Sequence, residues 1–324
     1  MGLSKIELIY KIILPTLAFI SSIAVPLILN WRKLFPRKKG GLTEEIEKVV
    51  EEKIKELGLV PPVPKEEFER QIKSYEAKLS QKELELITEK LEKAKLSFER
   101  GTERLEAQNY EGAIKDLEEA LKILPGGSEP SLSTHFNLGI ALIEFPRGDR
   151  EGNLKRAIES YKKILSFHTI GKTPERYAST QNNLGTAYWG LSEVRDKESN
   201  LGRAITAYNE ALRVYTLERF PQDYATTQNN LGAAYNRLSE VRDKESNLGR
   251  AITAYNEALG VYTKESFPWY FVETSWNLAL ALYKKGDLTG ALRVMEGMLP
   301  VAEGEGHPYI GTFRQFYEGL KSGR

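Results

Sequence analysis

Four asparagines recur at nearly constant intervals along the chain, and their side chains could bind a peptide backbone. Asn137, Asn183, Asn230 and Asn277 are separated by 46, 47 and 47 residues. A carboxamide both donates and accepts hydrogen bonds, so a row of such groups can pair with an extended backbone whatever its sequence. The same row could instead hold adjacent structural units together or lie in a solvated groove, and the spacing alone leaves both interpretations open.

Catalytic and metal chemistry find little support in the sequence. The 324 residues include no Cys and only three His, which excludes disulfides, thiol nucleophiles and Cys-ligated metals. Acidic residues are plentiful but fall in no recognisable catalytic spacing. Gly171-Lys172-Thr173 is similar to the end of a phosphate-binding loop, but Ser166 stands where that motif needs a Gly. We therefore expect no enzyme activity, no cofactor and no metal site.

The charge balance argues against a nucleic-acid partner. With 46 Lys and Arg against 45 Asp and Glu, the net charge is +1, whereas a nucleic-acid binder normally carries a basic excess. The charges are nevertheless segregated: residues 1–41 carry seven basic and one acidic residue, and residues 42–124 carry 15 basic and 21 acidic. Such different regions suggest different roles.

The strongest pattern in the chain is internal repetition. Residues 177–223 and 224–270 align without gaps and differ at nine of 47 positions, which indicates a repeat architecture. Each copy predicts two amphipathic helices, and a lone pair of this kind cannot bury its apolar face, so neighbouring units must stack. The charged residues 195–198 and their copy 242–245 are interpreted as a solvated loop between the two helices. The alanine that marks each of five units is found at Ala113, Ala157, Ala204, Ala251 and Ala291.

These units resemble the tetratricopeptide repeat (TPR) family over roughly residues 90–300. One copy reads Leu184-Gly185-x-x-Tyr188 in its first helix and Ala204-x-x-x-Tyr208-x-x-Ala211 in its second, and the next copy repeats both motifs. The units are 47 residues long instead of ~34, a long-repeat variant. The resemblance implies an all-α fold, with a TPR-type alpha-solenoid of about five repeats over residues 86–304 and a C-terminal capping helix and tail over residues 305–324. It also implies a protein or peptide partner.

In this family the first helices line the concave groove, and the positions that differ between copies would set specificity. Trp189-Gly190 in one copy corresponds to Asn236-Arg237 in the next. The candidate peptide-binding residues implied by the resemblance are Asn137, Asn183, Asn230, Asn277, Trp189 and Arg237.

The N-terminal region, residues 1–41, predicts a membrane anchor. Ile12 to Leu29 are 18 residues without a charge, and extending this stretch to residues 8–31 gives ~36 Å of helix, enough to cross a bilayer. Five basic residues among the eight that follow Trp31 mark the cytoplasmic side. We expect a single-pass membrane protein with a cytoplasmic TPR region. The alternative is export after cleavage of a signal peptide near Ala24.

Residues 42–85 predict a charged helical spacer with a proline-rich hinge at 58–64. A Pro-free helix is expected over residues 65–108, where Leu84, Leu91 and Phe98 recur every seven residues. This helix could form a coiled coil and hence a homodimer. The alternative is a stalk helix that packs on the next domain, which a midway shift in the heptad phase favours.

Together these features predict a membrane-anchored TPR adaptor or scaffold. It would bind a protein partner, as an extended peptide in the concave groove. The alternative is a permanent structural subunit of a membrane complex that binds no peptide reversibly.

Overall fold

The computed structural model describes residues 81–322, which form eleven α-helices joined by turns, with no strand among them. The expected membrane span at residues 8–31 and the proline-rich hinge at 58–64 lie outside the described residues. Within residues 81–322, no helix is both long enough and apolar enough to cross a bilayer. Internal contacts divide the chain into two compact units, residues 1–141 and 142–324.

In the first unit, a long helix packs against a short one. Gly101 of the long helix lies so close to Leu117 of the short helix that a Cβ atom would come within 2.7 Å of the Leu117 Cγ. Ala94 of the long helix is fully buried, while Leu91 and Phe98 of the predicted heptad face are half-buried. Because residues of the same chain bury this face, the structure agrees with a stalk helix that packs on the next domain. The homodimer stays a prediction. The helices are α1 (Gln81–Glu106), α2 (Tyr110–Leu121) and α3 (Glu129–Glu144), the last of which crosses into the second unit.

The second unit is a series of helical hairpins. The helices are α4 (Arg150–Leu165), α5 (Pro174–Val194), α6 (Lys197–Leu212), α7 (Pro221–Leu238), α8 (Lys244–Leu259), α9 (Pro268–Lys285), α10 (Leu288–Gly304) and α11 (Ile310–Ser322). Each helix from α4 to α11 packs against the next, and α5 also contacts α7, which contacts α9. The first helices of successive repeats therefore lie side by side, a TPR-like arrangement.

Local sequence explains where these helices begin. A proline opens each of the first helices α5, α7 and α9. At this position its fixed φ suits the helix and its missing N–H costs no hydrogen bond. Asp149 and Asp287 instead cap α4 and α10 by accepting hydrogen bonds from the backbone N–H groups of Gly152 and Gly290.

The core of each central repeat follows the predicted faces. Ala204, Tyr208 and Ala211 of α6 are all buried. Tyr208 lies over Gly185 of α5, where an added Cβ would be 2.5 Å from the Tyr208 Cε1. The glycine of the Leu-Gly motif thus allows the two helices to approach closely.

The predicted loop at residues 195–198 is wrong in its extent. Helix α5 continues to Val194 and α6 begins at Lys197, so only Arg195 and Asp196 connect them. Asp196 adopts a left-handed conformation with φ 44°, which turns the chain within this short connection. Much of the extra length of the unit therefore lies in longer helices.

A C-terminal helix, α11, closes the series. Phe313 of α11 is buried, with its ring centroid 4.7 Å from that of Trp276 in α9 and 5.0 Å from that of His307. Met295 and Met298 of α10 belong to the same apolar cluster. Helix α11 therefore covers the apolar side of the last repeat, as a capping helix does.

Candidate interaction surface

Five of the six predicted site residues lie on the adjoining first helices of the second unit. Asn183 and Trp189 belong to α5, Asn230 and Arg237 to α7, and Asn277 to α9, and all five are half-buried. Asn183, Asn230 and Asn277 occupy equivalent positions on α5, α7 and α9, which lie side by side. We call these three asparagines the amide row. The sixth predicted residue, Asn137, is in the first unit.

Three of the four predicted asparagines, which would form a ladder of amides, already have hydrogen-bond partners within the protein. Asn230 Nδ2 donates to the side-chain oxygen of Asn182 at 3.3 Å, which joins α7 to α5. Asn183 Nδ2 donates to the backbone oxygen of Ser179, one turn earlier, at 3.1 Å. In the first unit, Asn137 Nδ2 donates to Thr102 Oγ1 at 3.1 Å. These hydrogen bonds favour a packing role for the donor side of the predicted ladder.

Two other polar atoms of this surface have no partner. Trp189 Nε1 in α5 and the side-chain oxygen of Asn229 in α7 are buried, and neither has a hydrogen-bond partner in the described part of the chain. One is a donor and the other an acceptor, the two functions that an extended backbone satisfies. Sequence reasoning predicts Trp189 but misses Asn229, although the doubled Asn of the repeated TQNNLG segment could have indicated it.

Arg237, predicted to set specificity, is engaged in an ion pair between repeats. Its guanidinium lies 2.9 Å from Glu193 at the end of α5. Next to it, Glu240 accepts hydrogen bonds from Lys197 Nζ at 2.7 Å and Lys284 Nζ at 2.9 Å. Burial alone would raise the pKa of Glu240, but the two ammonium groups outweigh it and lower the pKa to about 2. These charged groups are therefore largely paired with one another within the protein.

A second set of ion pairs runs along the connections between helices. Arg195 lies 2.9 Å from Glu151 at the start of α4, and Arg242 lies 3.2 Å from Glu198 at the start of α6. Residues interpreted from the sequence as a solvated loop thus link each repeat to the one before it. All four side chains are substantially exposed, so solvent screens these pairs and they contribute little to stability.

The residues set aside as a phosphate-binding loop lie in the turn before α5. The Thr173 hydroxyl is 2.8 Å from Nδ1 of the buried His168, so this turn is closed by its own side chains. Within residues 81–322, no group of three or more His, Cys, Asp or Glu side chains is placed to hold a metal ion.

The fold defines an all-helical repeat protein whose successive first helices lie side by side. A family model described as tetratricopeptide repeat matches residues 225–267, which hold most of α7 and all of α8. The chain is thus similar to TPR proteins, and its described residues form an all-helical TPR-like array. Among curated proteins, none matches this chain.

Solved structures share this architecture. Aspartyl phosphate phosphatase F from Bacillus subtilis aligns with 99% of this chain and 80% of its own, at 16% identity and a TM-score of 0.52. At this identity the likeness concerns the fold alone. MamA protein aligns over 67% of this chain and 96% of its own, at 22% identity and a TM-score of 0.46. The thermophilic TPR protein TTC0263 from Thermus thermophilus aligns over 70% and 98%, at 20% identity and a TM-score of 0.46.

Proposed function

We propose that this protein is a membrane-anchored adaptor built on long, 47-residue TPR units, whose first helices bind an extended segment of a partner protein. The observation that carries the proposal is the pair of buried, unpartnered polar atoms on α5 and α7, Trp189 Nε1 and the side-chain oxygen of Asn229. A buried polar group without a hydrogen bond costs about 1–3 kcal/mol. A partner backbone would recover this free energy once the side chains that cover these two atoms move aside.

The amide row suits an extended backbone of variable sequence. Its side chains are half-buried, so they are positioned by the helices and still reach solvent. Each new hydrogen bond would contribute roughly 0.5–1.5 kcal/mol, so three together would strengthen binding by about tenfold to a thousandfold. The role we assign is to hold a partner without transforming it chemically.

The N-terminal sequence supports membrane anchoring. The uncharged stretch within residues 8–31 and its basic flank favour a span with the repeats in the cytoplasm. An anchor would confine the repeats to the membrane surface and raise the local concentration of any bound partner there. We would test it by carbonate extraction of membranes and by protease accessibility of the repeats from the cytoplasmic side.

Peptide binding is tested by affinity capture with the full chain in detergent. One bait carries Trp189→Phe together with Asn229→Ala, which removes both unpartnered atoms. A second bait carries Asn183→Ala, Asn230→Ala and Asn277→Ala. The matched control carries Asn209→Ala and Asn256→Ala, exposed amides at equivalent places on the second helices α6 and α8. Thermal unfolding of every bait verifies that the fold is kept.

The outcomes separate binding from packing. We expect a partner that the control bait retains and that the Trp189 and Asn229 bait loses. A partner lost with the triple Asn bait alone, together with a lower melting temperature, would assign the predicted ladder to packing. Equal retention by all baits would refute binding at the first helices and favour the permanent-subunit alternative, which the Asn230–Asn182 hydrogen bond supports.

A further inference from the structure

Three aromatic side chains are exposed at the start of α9 and in the turn between α10 and α11. Trp269 is 41%, Tyr270 52% and Tyr309 65% exposed. We call these three residues the aromatic patch. Grouped exposed apolar side chains commonly mark an interaction site.

The rings of the aromatic patch pack on the buried side chains of His307 and Tyr262. The Trp269 ring centroid lies 4.5 Å from that of His307, a buried side chain, which is 5.8 Å from that of Tyr309. His307 Nδ1 also accepts a hydrogen bond from the Tyr309 backbone N–H at 3.3 Å. Tyr270 stacks on the buried Tyr262, with centroids 4.9 Å apart and an interplanar angle of 20°. A partner would therefore meet a largely preformed surface.

The aromatic patch is a feature of the last repeat. The residues that correspond to Trp269 and Tyr270 at the start of α7 are Gln222 and Asp223. These two positions are among the nine that differ between the two copies. Since the polar residues stand at the same place in the same fold, the repeat architecture does not require aromatic side chains there.

Acidic side chains flank the aromatic patch. Glu273 follows Trp269 by one helical turn on α9, so the two share a face, and Glu305 lies in the turn that leads to His307. Both carboxylates are exposed, and no ion pair is recorded for either of them in the described residues. An occupant of the aromatic patch therefore meets negative charge at its edge.

We propose that the aromatic patch binds a proline-rich segment of a partner protein that carries a basic residue beside its prolines. Proline-rich chains adopt the polyproline II conformation in advance, so they lose little entropy when they dock against exposed aromatic rings. A flanking Lys or Arg complements Glu273 and Glu305 and can also lie over a ring face. The acidic edge favours this occupant over an anionic membrane surface. This site is separate from the amide row and does not depend on it.

A suitable probe is present in this sequence. Residues 58–66 read GLVPPVPKE, three prolines followed by a lysine. A fluorescein-labelled peptide of this sequence is titrated with the full chain and followed by fluorescence anisotropy. The protein used carries Pro61→Ala, Pro62→Ala and Pro64→Ala, so that its own segment does not compete with the probe.

The decisive variant exchanges the aromatic patch for residues that the fold already accepts. Trp269→Gln with Tyr270→Asp installs the side chains of the preceding unit, so we expect the fold to be kept and peptide affinity to fall at least tenfold. The matched control, Leu217→Lys, changes an exposed apolar residue to its counterpart in the other copy, outside the aromatic patch. It should bind the peptide as the parent protein does.

Two further experiments test which kind of ligand the aromatic patch binds. A peptide with Lys65→Glu should bind more weakly, with the difference largest at low salt, because the acidic edge no longer attracts it. Vesicles with anionic lipid should show no binding that depends on Trp269 and Tyr270. The proposal is overturned by undetectable peptide binding, by equal binding to the Gln and Asp variant, or by binding of vesicles in place of the peptide.

Discussion

At the scale of single residues, a glycine in the first helix determines how closely the two helices of each central repeat approach. Gly185 and Gly232 lie beneath the buried rings of Tyr208 and Tyr255, at distances that leave no room for a methyl group. The pairing of Gly in the first helix with Tyr in the second is therefore a steric requirement, which explains why both copies keep it.

Replacing Gly232 with alanine tests this requirement. An added Cβ would lie 2.7 Å from Tyr255 Cε1, so we expect Gly232→Ala to destabilise the protein by about 1–3 kcal/mol, despite the higher helix propensity of alanine. Urea denaturation measures the change. The control is Gly202→Ala in α6, where nothing lies within 4 Å of the added atom. It should stabilise by about 0.5–1 kcal/mol. Similar effects of the two substitutions would contradict the steric argument.

At the scale of helices, ion pairs connect elements that are distant in sequence. Glu240, just after α7, joins the start of α6 through Lys197 to the end of α9 through Lys284. Helix propensity alone does not bring these residues together, and their separations of 43 and 44 residues are close to the repeat period. Their meeting depends on how successive hairpins stack.

The pH dependence of stability reports on this connection. Folding lowers the pKa of Glu240 from its ordinary value of 4.5 to about 2, so its ionised form stabilises the fold above about pH 4.5. The contribution is lost as the pH falls through the folded pKa. Glu240→Gln should therefore be less stable than the parent by roughly 0.5–1 kcal/mol at pH 7, since the site is partly exposed. Between pH 4.5 and 2 we expect the two proteins to converge.

Denaturant unfolding at several pH values measures this convergence. Glu296→Gln serves as the control, because Glu296 is exposed on α10 and no ion pair is recorded for it in the described residues. A constant difference between the Glu240 variant and its parent down to pH 2 would show that the carboxylate charge is not the stabilising feature.

The terminal helix α11 gives a second test at this scale. Phe313 is buried against Trp276 and the α10 methionines, so Phe313→Ala should cost about 3–5 kcal/mol. Arg314→Ala, the neighbouring change, removes only an exposed pair with Glu303 and should cost less than about 1 kcal/mol. Hydrogen exchange should show α10 and α11 of the Phe313 variant losing protection before α6. Uniform loss of protection across the unit would show that α11 is not a separate cap.

At the scale of the whole molecule, the sequence predicts the repeats well because their period can be read directly. The buried faces of the second helices and the close glycine contacts follow from this period. The partners of the surface residues do not, because they depend on the register between neighbouring first helices. Spacing places Asn230 in a row, but only packing shows that it bonds to Asn182. Likewise, the sequence favours a solvated Arg195 because its partner Glu151 lies 44 residues away.

The exact period also makes the number of repeats a variable that can be changed. Deletion of residues 224–270 joins Asp223 to Phe271 in the helical register that both copies share, so each apolar face again meets a matching neighbour. Because stability in such arrays is a sum of repeat and interface contributions, we expect a folded protein of lower stability. The denaturant m value should fall by roughly a fifth, since 47 of the 242 described residues are removed.

Circular dichroism and urea unfolding of the deletion variant measure both quantities. A second deletion of 47 residues, 201–247, removes most of α6 and all of α7 and joins Asn200 to Leu248 inside the second helix. This junction also keeps the period, so it should behave like the first deletion. The control, a deletion of 44 residues, 204–247, would instead shift the helix that follows by three positions. We expect the two 47-residue deletions to unfold cooperatively and the 44-residue deletion to lose its cooperative transition. Equal behaviour of all three would show that stacking does not depend on the repeat period.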